Sequence, residues 1–207
     1  MTEAALPAVS ALVLAGGRSR RFGGDKLGAE VGGRPLLERA IVAAAAVATE
    51  VLVVTGPDGR PDLPDGVRLV RDETAFEGPL AGCLAGLLEA REPLVLVVGG
   101  DMPALQPAVL SLLIRALEVT SVDASVLEHL GRARPLPMAL RTGTGTAMTR
   151  QLLADRERRL GAILERLRVR VVPEIEWRPL DPAARSLFDI DAPADLERFA
   201  AEPDESG

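Results

Sequence analysis

Apolar runs of strand length alternate along this chain with longer stretches in which apolar residues recur at helical spacing. Residues 10–15 (SALVLA), 50–55 (EVLVVT), 66–72 (GVRLVRD) and 93–101 (PLVLVVGGD) predict strands. Residues 34–48 (RPLLERAIVAAAAVA), 78–90 (GPLAGCLAGLLEA) and 107–118 (PAVLSLLIRALE) predict helices. Pro35 stands near the first turn of one, and Gly78-Pro79 leads into the next. The 93–101 strand is apolar on both faces, which implies a parallel sheet covered by helices on either side. The expected fold is α/β: a Rossmann-like three-layer αβα sandwich with a mostly parallel sheet. In such sheets ligands sit beyond the carboxyl ends of the strands, near a topological switch point.

The second half is less regular. Residues 123–129 and 134–140 predict a pair of strands, and 144–154 and 158–167 predict helices. Residues 168–175 and 186–190 predict strands, 193–201 a closing helix, and 202–207 a polar tail. No repeat and no dividing linker is present, so residues 1–207 are expected to form one domain, with a small substrate-binding lobe in the C-terminal half.

Composition narrows the function. Aromatic residues are 2% of the chain and the net charge is −6, against the stacking platforms and basic surface of a nucleic-acid binder. The basic cluster Arg18, Arg20, Arg21 and Lys26 inside an acidic chain points to a small anionic ligand. Cys83 is the only cysteine and His129 the only histidine, which excludes an internal disulfide, a thiolate cage and a multi-histidine metal site. The N-terminal segment has no basic start or long apolar run, and no apolar stretch nears the ~20 residues of a membrane span. A cytoplasmic protein with neither nucleic-acid nor membrane partners is expected.

The stretch LVLAGGRSRRFGGDKL (12–27) has the ingredients of a phosphate loop: a strand end, paired glycines that expose backbone N–H groups, and several cations. It fits neither the Walker A spacing nor the dinucleotide fingerprint. Asp101, behind Gly99-Gly100 at the end of an apolar strand, is placed to hold a hard cation such as Mg²⁺, which takes one or two carboxylates plus substrate phosphates. A turn or capping aspartate is the plainer alternative. Asp72 follows another strand, and Gly78 and Gly82 would let a base or ribose approach the backbone. Asp189, Asp191 and Asp195 precede or open the last helix; they complement its positive N-terminus, or Asp189 and Asp191, on one face of a strand, add a metal ligand. Cys83 reads as core, and His129 and Trp177 carry no partner pattern.

Taken in order, LAGGRSRRFGGDK, RDETAFEGPLAGCLAGL, GGDMP, RPLPMAL, RRLGAILERL and FDIDAPADL resemble the molybdenum cofactor guanylyltransferases (MobA-type) of the nucleotidyltransferase superfamily. The resemblance spans nearly the whole chain, with Phe22 where the family has methionine. It implies transfer of GMP from GTP to the terminal phosphate of molybdenum-molybdopterin, with release of pyrophosphate. It divides the domain into a nucleotide-binding half (8–120) and an acceptor-binding half (121–201). It implies that Leu14, Ala15 and Gly16 read the guanine through the backbone, and that Gly17, Arg21 and Lys26 hold the triphosphate. Arg21, Lys26 and Asp101 are the implied catalytic residues. Asp72, Gly78 and Pro79 would border the nucleoside, Asp101 would hold Mg²⁺, and Asp189 and Asp191 are candidates for a second metal ligand. Arg134, Pro135 and Arg159 would line the pterin side. The implied partners are GTP, molybdopterin or its molybdenum form, and transiently the proteins that insert the cofactor.

Three positions depart from the family pattern: Thr55 stands for an asparagine near the nucleoside, Asp189 and Asp191 for two asparagines, and Ala192 for a threonine. A cytidylyltransferase of the same cofactor, or another enzyme acting on a small phosphorylated substrate, is the nearest alternative. That branch usually carries alanine at the position of Gly16. A catalytically silent nucleotide-binding adaptor is the other.

Overall fold

Val9, Ala11 and Val13 of the first strand bury one side of a sheet, while Leu12 buries the other. The computed structural model describes residues 6–16, 22, 26–73, 78–119 and 121–201. Its strands are β1 (Val9–Leu14), β2 (Glu30–Val31), β3 (Arg34–Pro35), β4 (Glu50–Thr55), β5 (Arg68–Arg71), β6 (Leu94–Gly99), β7 (Ala124–His129), β8 (Arg132–Arg141) and β9 (Val169–Val172). Seven of them form one sheet in the order β5-β4-β1-β6-β8-β7-β9. Pairings from β5 to β6 are parallel, β8 runs antiparallel to both β6 and β7, and β9 is parallel to β7. The mostly parallel sheet is as expected, and the C-terminal strands extend it.

Helices α1 (Leu36–Ala45) and α3 (Pro107–Val119) pack on the face that carries Val9, Ala11 and Val13. Helices α2 (Pro79–Glu89) and α4 (Thr142–Ala154) cover the face that carries Leu12, Val95 and Val97. All six residues of β6 are buried, which is why its sequence is apolar without alternation. Trp177, in the short helix α5 (Glu174–Trp177), is fully buried and donates its indole N–H to the Glu128 carbonyl at 2.9 Å. Among the described residues no helix is long and apolar enough to cross a membrane.

A third apolar cluster shapes the site end. Val31, Leu36, Ile190 and Phe199 form it, with Phe22, Phe188 and Leu196 packed against them. It ties the β2–β3 hairpin and Phe22 of the glycine-rich loop to α6 (Pro193–Ala201). The hairpin turns through Gly32 and Gly33, with φ of 59° and 76°, a conformation that glycine adopts without penalty.

Two expected elements differ. Residues 158–167 form a short 3₁₀ turn, Leu160–Ile163, flanked by further i→i+3 bonds, because Leu160, Ala162 and Ile163 face the core together. Residues 186–190 are not a strand. The Asp181 carboxylate accepts the backbone N–H groups of Arg185 and Ser186 at 2.9 and 2.7 Å, and the chain enters a 3₁₀ turn instead.

Candidate active site

The carboxyl ends of β1, β4, β5 and β6 meet at one edge of the sheet through three backbone bonds. Ala15 N–H donates to Val54 O at 2.8 Å, Asp72 N–H to Thr55 O at 2.8 Å, and Gly100 N–H to Leu14 O at 2.9 Å. These bonds commit the Leu14 carbonyl and the Ala15 N–H to the fold. Among the described residues the Ala15 carbonyl and the Gly16 N–H have no partner, so they are the backbone groups left to meet a ligand. A Cβ at Gly16 would lie 3.7 Å from Gly56 N and 3.9 Å from the Thr55 carbonyl carbon, which is ordinary contact. The fold therefore does not itself require glycine there.

Lys26 is the centre of the site. Although the residue is only 8% exposed, its Nζ donates to Asp101 Oδ2 at 2.8 Å and to Asp191 Oδ1 at 3.0 Å. Burial pulls its pKa down, but Asp101 and Asp191 outweigh burial and leave it raised, so the ammonium stays charged. The Ile190 N–H donates to the Asp101 carbonyl at 3.0 Å, which seats the C-terminal segment beside the β6 turn. A Cβ at Gly99 would fall 2.5 Å from Asp101 Oδ1, so a larger residue there would push the Asp101 carboxylate from its place.

Asp189 is near the same cluster. Its pKa is raised by burial first, then by the charges of Asp191 and Asp101, with Arg134 acting in the opposite direction. The site thus gathers the carboxylates of Asp101, Asp189 and Asp191 about the Lys26 ammonium. Asp189 and Asp191 come together here without sharing a strand face, since 186–190 is not a strand. Asp195 caps: its Oδ2 accepts the N–H groups of Asp191 and Ala192 at 3.1 and 2.8 Å, and these bonds hold its pKa low.

Excess carboxylate charge suits a hard divalent cation. Among the described residues no group of three or more His, Cys, Asp or Glu could hold a metal ion by protein ligands alone.

Other expected residues fall around this centre. Gly78, with φ of 92°, opens α2, and a Cβ there would lie 3.1 Å from the Arg158 carbonyl oxygen. Glycine is needed at this position both for its backbone angle and for the approach of the 158 segment, and Pro79 follows as the first helical residue. Arg134 and Pro135 lie on β8. The Arg159 guanidinium is bound to Glu157 at 2.7 Å and Glu165 at 3.3 Å, so a pterin phosphate would have to compete with those carboxylates. Gly17, Arg18, Arg20 and Arg21 lie outside the described residues.

A cavity of about 610 Å³ opens beside β1 and β4, lined by Ala15, Thr55, Leu27, Leu37, Glu38 and the 59–64 loop. Sequence reading found Ala15 and Thr55 but not Glu38, whose first-turn place in α1 looks like ordinary helix-dipole chemistry. Asp72, Gly78 and Pro79 are not among the cavity's lining.

Comparison with known proteins gives a consistent picture. The sequence model for the MobA-like NTP transferase domain matches residues 11–178. A probable molybdenum cofactor guanylyltransferase of Chloroflexus aggregans is 38% identical over 199 residues, covering 93% of this chain and 94% of that protein. The molybdopterin-guanine dinucleotide biosynthesis protein A of Archaeoglobus fulgidus superposes with a TM-score of 0.76 at 25% identity, over 91% of this chain and 95% of its own. The 2-C-methyl-D-erythritol 4-phosphate cytidylyltransferase of Thermus thermophilus superposes with a TM-score of 0.71 at 22% identity, over 94% and 98% of the two chains. The last likeness concerns fold alone, so the fold does not by itself select the base.

Proposed function

The chain belongs to the MobA-like NTP transferase domain family, and on that premise we propose that it transfers GMP from GTP to the terminal phosphate of molybdenum-molybdopterin. An oxygen of the pterin phosphate attacks the α-phosphorus of GTP. A new P–O bond forms, the bond to the β-phosphate oxygen breaks, and pyrophosphate leaves. No covalent enzyme intermediate is needed, so the chain's task is alignment and charge neutralisation.

The observation that carries this reading is the position of Lys26, held at the carboxyl edge of the sheet by Asp101 and Asp191. A buried ammonium there can pass from a carboxylate to the α- and β-phosphate oxygens as charge builds on them. Arg21 and Gly17 of the same loop are proposed to hold the rest of the triphosphate. Asp101 would hold Mg²⁺, with Asp189 or Asp191 as an added ligand, and the ion would supply charge neutralisation across the phosphates. The Ala15 carbonyl and Gly16 N–H face the base, with Leu14 and Thr55 shaping its surroundings and Asp72, Gly78 and Pro79 the nucleoside rim. Arg134 and Pro135, with Arg159 at the edge, form the acceptor side, and Arg134 offsets the charge of Asp189. Molybdopterin and GTP are the substrates, and the cytoplasm, where GTP is supplied, is the proposed compartment. Proteins that insert the finished cofactor are proposed as transient partners.

The thermal midpoint in each of the four Mg-NTPs tests the nucleotide assignment. Mg-GTP is expected to raise it most, and a larger rise with Mg-CTP would assign the chain to the cytidylyl branch. A silent adaptor would bind nucleotide yet release no pyrophosphate with loaded pterin.

A further inference from the structure

The last helix starts beside the Lys26 cluster. Ala192 precedes Pro193, the first residue of α6, and its side chain offers no acceptor for the first helical N–H groups. Asp195 reaches back from the first turn instead. Its Oδ2 accepts the Ala192 N–H at 2.8 Å and the Asp191 N–H at 3.1 Å, and its Oδ1 lies 3.6 Å from a guanidinium nitrogen of Arg198. A helix cap needs only the bond to Ala192. The bond to Asp191 falls one residue further out, on the residue whose own carboxylate receives Lys26 at 3.0 Å. On the other side, the Ile190 N–H donates to the Asp101 carbonyl at 3.0 Å. Asp191 is thus tied to the β6 turn through Ile190 and to α6 through Asp195. Helix α6 has a separate anchor, since Phe199 and Leu196 pack with Val31, Leu36 and Ile190. The Asp195 pKa is lowered by the Ala192 and Asp191 bonds first, with the Lys26 charge among the smaller contributions.

We propose that Asp195 is a positioning residue for the transfer reaction: it holds the Asp191 backbone, and so fixes the carboxylate that seats the Lys26 ammonium. The inference deepens the nucleotidyl-transfer reading and rests on it. A lysine stem has four flexible carbons, so its ammonium stays in one place only where its partners are fixed. The Asp101 partner is set by the end of β6, which is buried throughout. The Asp191 partner lies in neither strand nor helix, so its place depends on the bonds at Ile190 and Asp195. Without the Asp195 bond, the link from Ile190 to Pro193 gains freedom and Asp101 alone orients the ammonium. The loss then falls on the step in which charge builds on the phosphates.

The plainer role for Asp195 is to cap α6. Capping changes stability and leaves the turnover of folded protein alone. Steady-state pyrophosphate release with GTP and molybdenum-molybdopterin separates the two roles. It is measured on wild type, Asp195→Ala, Asp195→Asn, Asp191→Ala and the Asp191→Ala/Asp195→Ala double variant, at a temperature where circular dichroism shows each folded. Either role lowers the Tm of Asp195→Ala by about 2–4 °C. Positioning also lowers its kcat about tenfold, the cost of a small misplacement of a reacting group, with KM for GTP changed by less than about twofold. Asp195→Asn keeps an oxygen that can accept both N–H groups and should stay within about threefold of the wild-type kcat. Because Asp195 acts through Asp191, the double variant should match Asp191→Ala within about twofold. A wild-type kcat in Asp195→Ala or in Asp191→Ala overturns the inference. So does multiplication of the two losses in the double variant, and so does an Asp195→Asn as slow as Asp195→Ala, which would assign the effect to charge. All of these outcomes leave the transfer reading standing. No turnover by wild type with any triphosphate overturns that reading and this inference with it.

Discussion

Lys26 and Asp191 stand 165 positions apart in the chain, yet the ammonium nitrogen of one lies 3.0 Å from a carboxylate oxygen of the other. That contact closes the C-terminal segment onto the glycine-rich loop, across the β6 turn that carries Asp101. Lys26→Met should lower kcat for pyrophosphate release by about 10²–10³-fold, the scale of losing one preorganised charge at a reacting phosphate. Stability should change far less, by about 1 kcal/mol or below, because the acids left behind are partly solvated. A large drop in melting temperature with only a small loss of kcat would make Lys26 a structural clamp.

Asp101→Ala should abolish turnover while the protein stays folded, since the carboxylate lies at a strand end and is not buried in the core. Turnover at the wild-type rate would remove Asp101 from the metal role.

Asp189 and Asp191 can be separated from mere loop chemistry by the double change to asparagine. If they add ligands for Mg²⁺, the concentration needed for half-maximal activity should rise severalfold. An unchanged Mg²⁺ titration would confine Asp191 to holding Lys26.

Gly86→Ala sets two effects against each other. Alanine favours helix by about 1 kcal/mol over glycine. The added Cβ would sit 2.8 Å from one Leu12 methyl carbon and 3.0 Å from the other, with Val54 also at 3.0 Å, all of them buried. Overpacking of this kind costs about 1–3 kcal/mol, so the net change should be destabilising. Chemical denaturation measures it, and a stabilised variant would mean that the layer between α2 and the sheet relaxes freely.

Burial pushes the Cys83 thiol up to about 12. The folded protein therefore keeps this proton after the unfolded chain has lost it, so stability should fall as pH rises above the ordinary thiol value of about 8.5. Cys83→Ala should remove that part of the slope. At pH 8, modification of the thiol should track unfolding; rapid labelling of the native protein would contradict its burial in α2.

The parallel half of the fold was legible because β4 and β6 are buried on both faces and read as unbroken apolar runs. Asp101 was legible because it follows a strand end behind two glycines, and Lys26 because it closes a glycine-rich basic loop. The β2–β3 hairpin was missed, although Gly32-Gly33 carried its signal, because two-residue strands leave no alternation to detect. Residues 186–190 have a strand-like composition, but Asp181 captures the N–H groups of Arg185 and Ser186, a tertiary contact that no local pattern announces.

The most direct test of the account is a product assay with purified protein, molybdenum-molybdopterin, Mg²⁺ and each nucleoside triphosphate in turn. The account predicts that GTP yields the guanine dinucleotide cofactor with one pyrophosphate per product, and that no pyrophosphate appears without the pterin. Formation of the cytosine dinucleotide in preference, or no dinucleotide from any triphosphate, would contradict it.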